Sequence, residues 1–149
     1  MDSSKPDQGR KLDLLSIILK DAGVTKGSAV RVTGKAGLAP LIWLCRRGFD
    51  DVAYVRPGDP APTDPGDVLL VLHSASAAEL EQILGDHGRL REGGVLIVQT
   101  PDARLPDGRD PIHLILERAG YAVERCIARR SREVHVARRL YGGQLRKAA

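Results

Sequence analysis

The chain has 149 residues, with 23 Lys/Arg against 19 Asp/Glu and a formal net charge of +4, a size that argues for one domain and against a separate substrate domain. Leu, Ile and Val account for 39 residues, enough core-forming material to exclude a disordered chain. No run of about 18 apolar residues occurs and Met1 to Arg10 is polar, so neither a membrane span nor a signal peptide is expected, and the expected location is the cytoplasm.

The elements follow in order. Arg10 to Ala22 carries Leu12, Leu15, Ile18 and Leu19 at helical spacing, and Gly23 is placed to end the helix. Ala29 to Thr33 is a short β-branched strand; Gly34-Lys35-Ala36-Gly37 turns the chain, and Pro40 opens a helix through about Arg47, stopped by Gly48. Asp51 to Arg56 is a second strand. Asp67 to Leu72 is a near-continuous apolar strand of the kind buried on both faces of a parallel sheet.

Ser76 with Glu79 forms a capping box for a helix bearing Leu80, Ile83 and Leu84, and Gly93-Gly94 leads into the strand Val95 to Gln99. Asp110-Pro111 starts a helix carrying Leu114, Ile115 and Ala119, ended by Gly120. Tyr121 to Ala128 and Glu133 to Arg139 alternate as a hairpin around Arg130-Ser131-Arg132. The expected organisation is an N-terminal segment 1–9, an α/β domain 10–141 and a basic tail 142–149.

Cys45 and Cys126 lack metal-ligand spacing and are expected to be small buried hydrophobes. His87 and His113 fall in helical patterns and His135 in the hairpin, none at a spacing that makes a metal site, so no metal is expected. Residues 129–149 carry seven basic side chains against one acidic. Arg129, Arg130, Arg132, Arg138 and Arg139 are therefore candidates for a phosphate-bearing partner, nucleic acid included, against the plainer reading of a solvated face paired with Glu124 and Glu133.

Three stretches carry a resemblance: AGVTKGSAVRVTGKAG (22–37), LREGGVLIVQTP (90–101) and ILERAGYAVERCIARRSREVHVARR (115–139). In this order they resemble the SAM-loop entry, the fourth helix with the fifth strand, and the closing helix and hairpin of the class I, Rossmann-like, S-adenosylmethionine (SAM) dependent methyltransferases. The resemblance implies a single doubly wound, mostly parallel sheet with a C-terminal antiparallel hairpin. It implies SAM as cofactor, held around Thr33, Gly34, Ala36 and Gly37, at Arg56 or Asp59 after the second strand, and at His73 and Ser74 after the strand Asp67 to Leu72. His73 is the candidate for a general base.

The chain also departs from the family. Arg31 or Val32 stands where an acidic residue is usual late in the first strand, and the second strand ends in Arg56-Pro57 instead of a ribose-binding carboxylate. The Asn/Asp-Pro-Pro-aromatic loop of enzymes that methylate exocyclic amines is absent. Only PGDPAPTDPG, residues 57–66, joins the second strand to the next, so the family's third strand and its flanking helices do not fit. That deletion makes residues 51–66 an expected sheet edge for a homodimer or a protein partner.

The expected function is a methyltransferase-like domain with weakened or lost SAM binding, acting as a regulatory or interaction module. A small active methyltransferase is the alternative, and a nucleotide- or nucleic-acid-binding Rossmann-like protein comes third. For the nicotinamide form of that third reading, Arg56 is placed to meet a 2′-phosphate, but Gly34, Ala36 and Ala39 spell G-x-A-x-x-A and no Tyr-x-x-x-Lys follows.

Overall fold

The computed structural model describes residues 14–34, 38–55, 65–72, 76–85, 90–101, 110–129 and 132–141. Within them, helix α1 (residues 14–21) precedes β1 (Ala29–Gly34), α2 (Ala39–Arg46), β2 (Asp51–Tyr54) and β3 (Gly66–Leu72). Then come α3 (Ala77–Gly85), β4 (Leu90–Pro101), α4 (Pro111–Arg118), β5 (Tyr121–Arg129) and β6 (Arg132–Arg139).

The strands form one sheet in the order β2-β1-β3-β4-β6-β5. β2, β1, β3 and β4 are mutually parallel, and β6 runs antiparallel to both β4 and β5. The expected α/β class, parallel sheet and closing hairpin are all present.

Each sheet face has its own core, as the period-2 alternation of the strands requires. On one face Leu15, Ile18 and Leu19 of α1 and Leu44 of α2 pack on Val30, Val32, Val68, Leu70, Val95, Ile97, Val134 and Val136. On the other, Leu80 and Ile83 of α3 and Ile112 and Leu116 of α4 pack on Leu69, Val71, Leu96, Val98 and Ala137. Fully burying a side chain such as Leu44 or Leu116 is worth about 1.5–3 kcal/mol. The second core contains no residue of β1 or β2 among the described residues, as expected if the helices that cover that part of the sheet in a longer doubly wound domain are missing.

Local signals explain the element ends. Glu79 N–H donates to Ser76 Oγ at 3.2 Å, one half of the expected capping box. Gly23 and Gly48 adopt φ of +80° and +89° after their helices, a conformation in which a side chain is strained.

Four expectations need correction. β2 ends at Tyr54, before Arg56, although Val55 N–H still donates to Val32 O at 2.8 Å. β4 starts at Leu90, because Gly93-Gly94 sits inside the strand: the register runs Gly66↔Leu90 and then Val68↔Val95, so the extra residues are absorbed as an irregularity. In α4 the buried pair is Ile112 and Leu116, while Leu114 and Ile115 are half-buried, because Asp110 caps the first turn and sets which i, i+4 stripe meets the sheet. Cys45 and Cys126 are exposed: Cys45 follows the buried Leu44 on α2, and Cys126 sits on the edge strand β5, so neither fills the core.

Candidate functional site

In an open α/β sheet, ligands sit beyond the carboxyl ends of the parallel strands, where the strand order reverses. Here β1, β2 and β3 end there in Gly34, Tyr54 and Leu72. Gly34 pairs with Leu72 across β1 and β3 and has φ +107°. A Cβ at Gly34 would fall far inside contact distance of the Leu72 carbonyl oxygen, with Leu72 C and N both at 3.4 Å. This glycine is therefore required by the approach of the two strand ends, before any ligand is considered.

Thr33 is fully buried and its Oγ1 has no hydrogen-bond partner. On β2, the Tyr54 hydroxyl donates to the Gly34 carbonyl at 2.7 Å, tying the turn to the edge strand.

Thr33 and Gly34 are thus the two expected cofactor residues that the structure brings together, beside Leu72. Ala36, Gly37, Arg56, Asp59, His73 and Ser74 lie outside the described residues. The positions discussed as replacements for the family's acid have other work. Val32 is buried in the first core. Arg31 is buried on the opposite face, and its Nη1 donates to Asp51 Oδ1 at 2.9 Å and to the carbonyls of Val30 and Asp51 at 3.2 and 3.4 Å. Its charge is compensated at the start of β2, away from the strand ends.

As a cradle for SAM, the described edge offers a turn with positive φ and one orphaned buried hydroxyl. Its described residues carry no carboxylate at the C-terminal ends of β1 and β2, Asp51 lying at the opposite end of β2. The described residues therefore do not by themselves fit the cofactor's ribose and ammonium groups.

The arginine set is divided. Arg132 and Arg138 share a sheet face but sit six residues apart along β6, roughly 20 Å at strand rise. Arg138 Nε donates to Glu124 Oε1 at 2.6 Å, and its other nitrogens donate to the carbonyls of Gly93 and Ala22. Arg139 donates to Leu90 O. Arg130 and the side chain of Arg129 lie outside what is described. Two of the five arginines are committed to holding the hairpin against β4, and the expected pairing with Glu124 is present. Arg138 also borders a depression of about 370 Å³, lined by Gly23, Thr25, Asp67 and Arg91, at the N-terminal ends of the parallel strands. An Arg91–Asp67 ion pair at 3.2 Å crosses it, and it lies at the end of the sheet opposite the ligand end.

A constellation that sequence reading did not assemble lies on the α3/α4 face. Asp110, the N-cap of α4, accepts from Ile112 N–H through Oδ1 at 2.9 Å. Its Oδ2 is 2.8 Å from His135 Nε2 on β6. Glu133 Oε2 is 3.6 Å from the same nitrogen, and the Cys126 thiol, opposite His135 on β5, donates to Glu133 Oε2 at 3.9 Å. His135 is fully buried and the Glu133 side chain nearly so.

Burial pushes the Asp110 carboxyl up, but the hydrogen bond and charge of His135 and the amides of Ile112 and His113 outweigh it and hold it below the usual carboxylate value. A signal was available: counting the hairpin outward from a two-residue loop at Arg130-Ser131 pairs Cys126 with His135 and puts Glu133 on the same face.

No protein-family model and no curated protein matches the sequence. Solved structures do resemble the fold. A SAM-dependent methyltransferase from Aquifex aeolicus superposes with TM-score 0.57 and 16% identity over 82% of this chain and 87% of that one. The ribosomal protein L11 methylase from Lactobacillus delbrueckii subsp. bulgaricus gives 0.66 and 13% over 85% and 77%. The [4+2]-cyclase SpnF gives 0.60 and 14% over 87% and 81%. At these identities the likeness shows the fold: this chain has the Rossmann-like α/β fold that these methyltransferases also have.

Proposed function

We propose that this chain is a methyltransferase-fold domain whose SAM binding is weakened or lost and which works as an interaction module. The observation that carries the reading is the edge at β1 and β2: the Tyr54 phenol takes the Gly34 carbonyl, and no carboxylate stands at those strand ends among the described residues. Each missing charged hydrogen bond to a sulfonium ligand's ribose or ammonium group removes about 1.5–3 kcal/mol of attraction. The SpnF neighbour, a [4+2]-cyclase, supports the view that the fold alone does not dictate methyl transfer.

The interaction surface in this reading is β2 with the adjoining end of α2. β2 is the outermost strand and mostly exposed. Because Val55 N–H points to β1, the amides of Val52 and Tyr54 point outward, ready to pair with a strand of a second copy or a partner. Leu38 and Ile42, one turn apart at the start of α2, are 67% and 50% exposed. Sedimentation over a concentration series, with hydrogen exchange read at Val52 and Tyr54, tests this. Slowed exchange at those two amides in an associated species is expected, and a monomer with both amides in fast exchange at every concentration refutes it.

A second reading, a small active methyltransferase, draws support from the buried Thr33 Oγ1 without a partner beside the Gly34 turn. Calorimetry with SAM separates the two.

A further inference from the structure

We propose that Asp110, Cys126, Glu133 and His135 form a binding site for one zinc ion. Three separate parts of the chain deliver these residues: the N-cap of α4, the middle of β5 and the start of β6. One ligand atom from each lies within 4.8 Å of all the others.

Zinc bonds of about 2.0–2.3 Å in tetrahedral array place ligand atoms roughly 3.3–3.8 Å apart. The separations of 2.8, 3.6 and 3.9 Å among His135 Nε2, Asp110 Oδ2, Glu133 Oε2 and Cys126 Sγ bracket that range. Small side-chain rotations suffice to close on an ion. An imidazole, a thiol and two carboxylates make a mixed N/S/O set suited to a borderline divalent ion, and unlike the all-oxygen sets of magnesium or calcium.

The surroundings support a ligand here. Two carboxyl groups, Asp110 half-buried and Glu133 buried, converge on a single imidazole nitrogen, an acid-rich arrangement that suits a dication. Asp110 is aimed by its other oxygen, held by Ile112 N–H, in the manner of an outer partner that orients a metal ligand.

The described residues contain three buried side-chain polar atoms without a partner, and two belong to this place: His135 Nδ1 and Thr100 Oγ1. Thr100 stands directly across β4 and β6 from Glu133, on the same face. His135 Nδ1 has no partner, so when an ion takes Nε2 in place of the hydrogen bond to Asp110 the ring carries its proton on Nδ1. Cys126 is exposed and gives the ion its way in. On binding, the thiol loses its proton to solvent and the sulfur becomes the fourth ligand.

The test uses the full chain, stripped with a chelator and titrated with Co²⁺ as the spectroscopic probe and then with Zn²⁺. One equivalent of Co²⁺ is expected to give strong tetrahedral d–d absorption with a thiolate charge-transfer band. Zn²⁺ is expected to displace it, release a proton and raise Tm. Cys126→Ser is expected to lose the charge-transfer band and bind at least tenfold more weakly, and Glu133→Gln to weaken binding as well. His113→Ala, which removes the exposed His113–Glu117 pair on α4, is expected to leave binding intact. No tetrahedral cobalt spectrum, unchanged affinity in Cys126→Ser, or loss of binding in His113→Ala each overturns the proposal.

Discussion

Gly34→Ala separates a glycine needed by the sheet from one needed only by a ligand. At φ +107° a residue with a Cβ carries a backbone penalty of about 1–2 kcal/mol. The added methyl also collides with the Leu72 carbonyl, a backbone group locked in the β1–β3 register that has no rotamer by which to move aside. Overpacking of that kind costs a further 1–3 kcal/mol or so, giving a total of about 2–5 kcal/mol. For a domain of this size each kcal/mol lowers Tm by about 2–4 °C, so a fall of roughly 4–20 °C is expected by differential scanning calorimetry.

Gly23→Ala is the control. Gly23 has φ +80° but nothing within 4 Å of its would-be Cβ, so it carries the backbone penalty alone, about 1–2 kcal/mol. If Gly34→Ala melts no lower than Gly23→Ala, the strand-contact argument is wrong and Gly34 serves the turn or a ligand instead.

Ser76→Ala removes the hydroxyl that accepts from Glu79 N–H and is expected to cost about 1 kcal/mol in urea denaturation with an unchanged m-value. Tyr121 is buried and its phenol is pushed above the ordinary value of 10.0 by burial, with Arg139 opposing. Its stabilising contribution is complete below pH 10 and is lost as pH rises from there through the folded value. Tyr121→Phe should therefore flatten the alkaline limb of the Tm profile, and a variant limb as steep as the parent's contradicts this. Arg138→Ser breaks contacts to Glu124, Gly93 and Ala22. It is expected to lower Tm, while any salt-dependent binding to a DNA duplex changes no more than the loss of one exposed charge implies.

Much of the fold was legible because its signals are local. The apolar runs DVLLVL and VLIVQ, the Ser76 cap and the Asp110-Pro111 start act within a few residues, and each appears where expected. The deletion between β2 and β3 was legible for the same reason, since ten residues cannot carry a crossover helix and strand.

Sequence reading went astray where a residue's role depends on a distant partner. Arg31 stands where the family's acid is usual, and its pairing with Asp51 at the far end of β2 is not visible along the chain. Gly34 reads as a ligand turn, and its close approach to Leu72, 38 positions on, is a second demand on it that local sequence does not show. Cys126 read as core because free cysteines usually are, yet it lies exposed on β5, the strand at the other edge of the sheet. The Asp110–His135 contact spans a helix and a strand, and pairwise spacing along the chain carries no trace of it.

Calorimetric titration of the full chain with SAM and with its demethylated product tests most directly whether the edge at the ends of β1 and β2 binds the cofactor. Loss of the strand-end carboxylates predicts a dissociation constant weaker than about 100 µM for both, less than about 5.5 kcal/mol of binding. Low-micromolar binding of either, abolished by a bulky substitution at Thr33, would contradict the account and make this chain a cofactor-loaded methyltransferase.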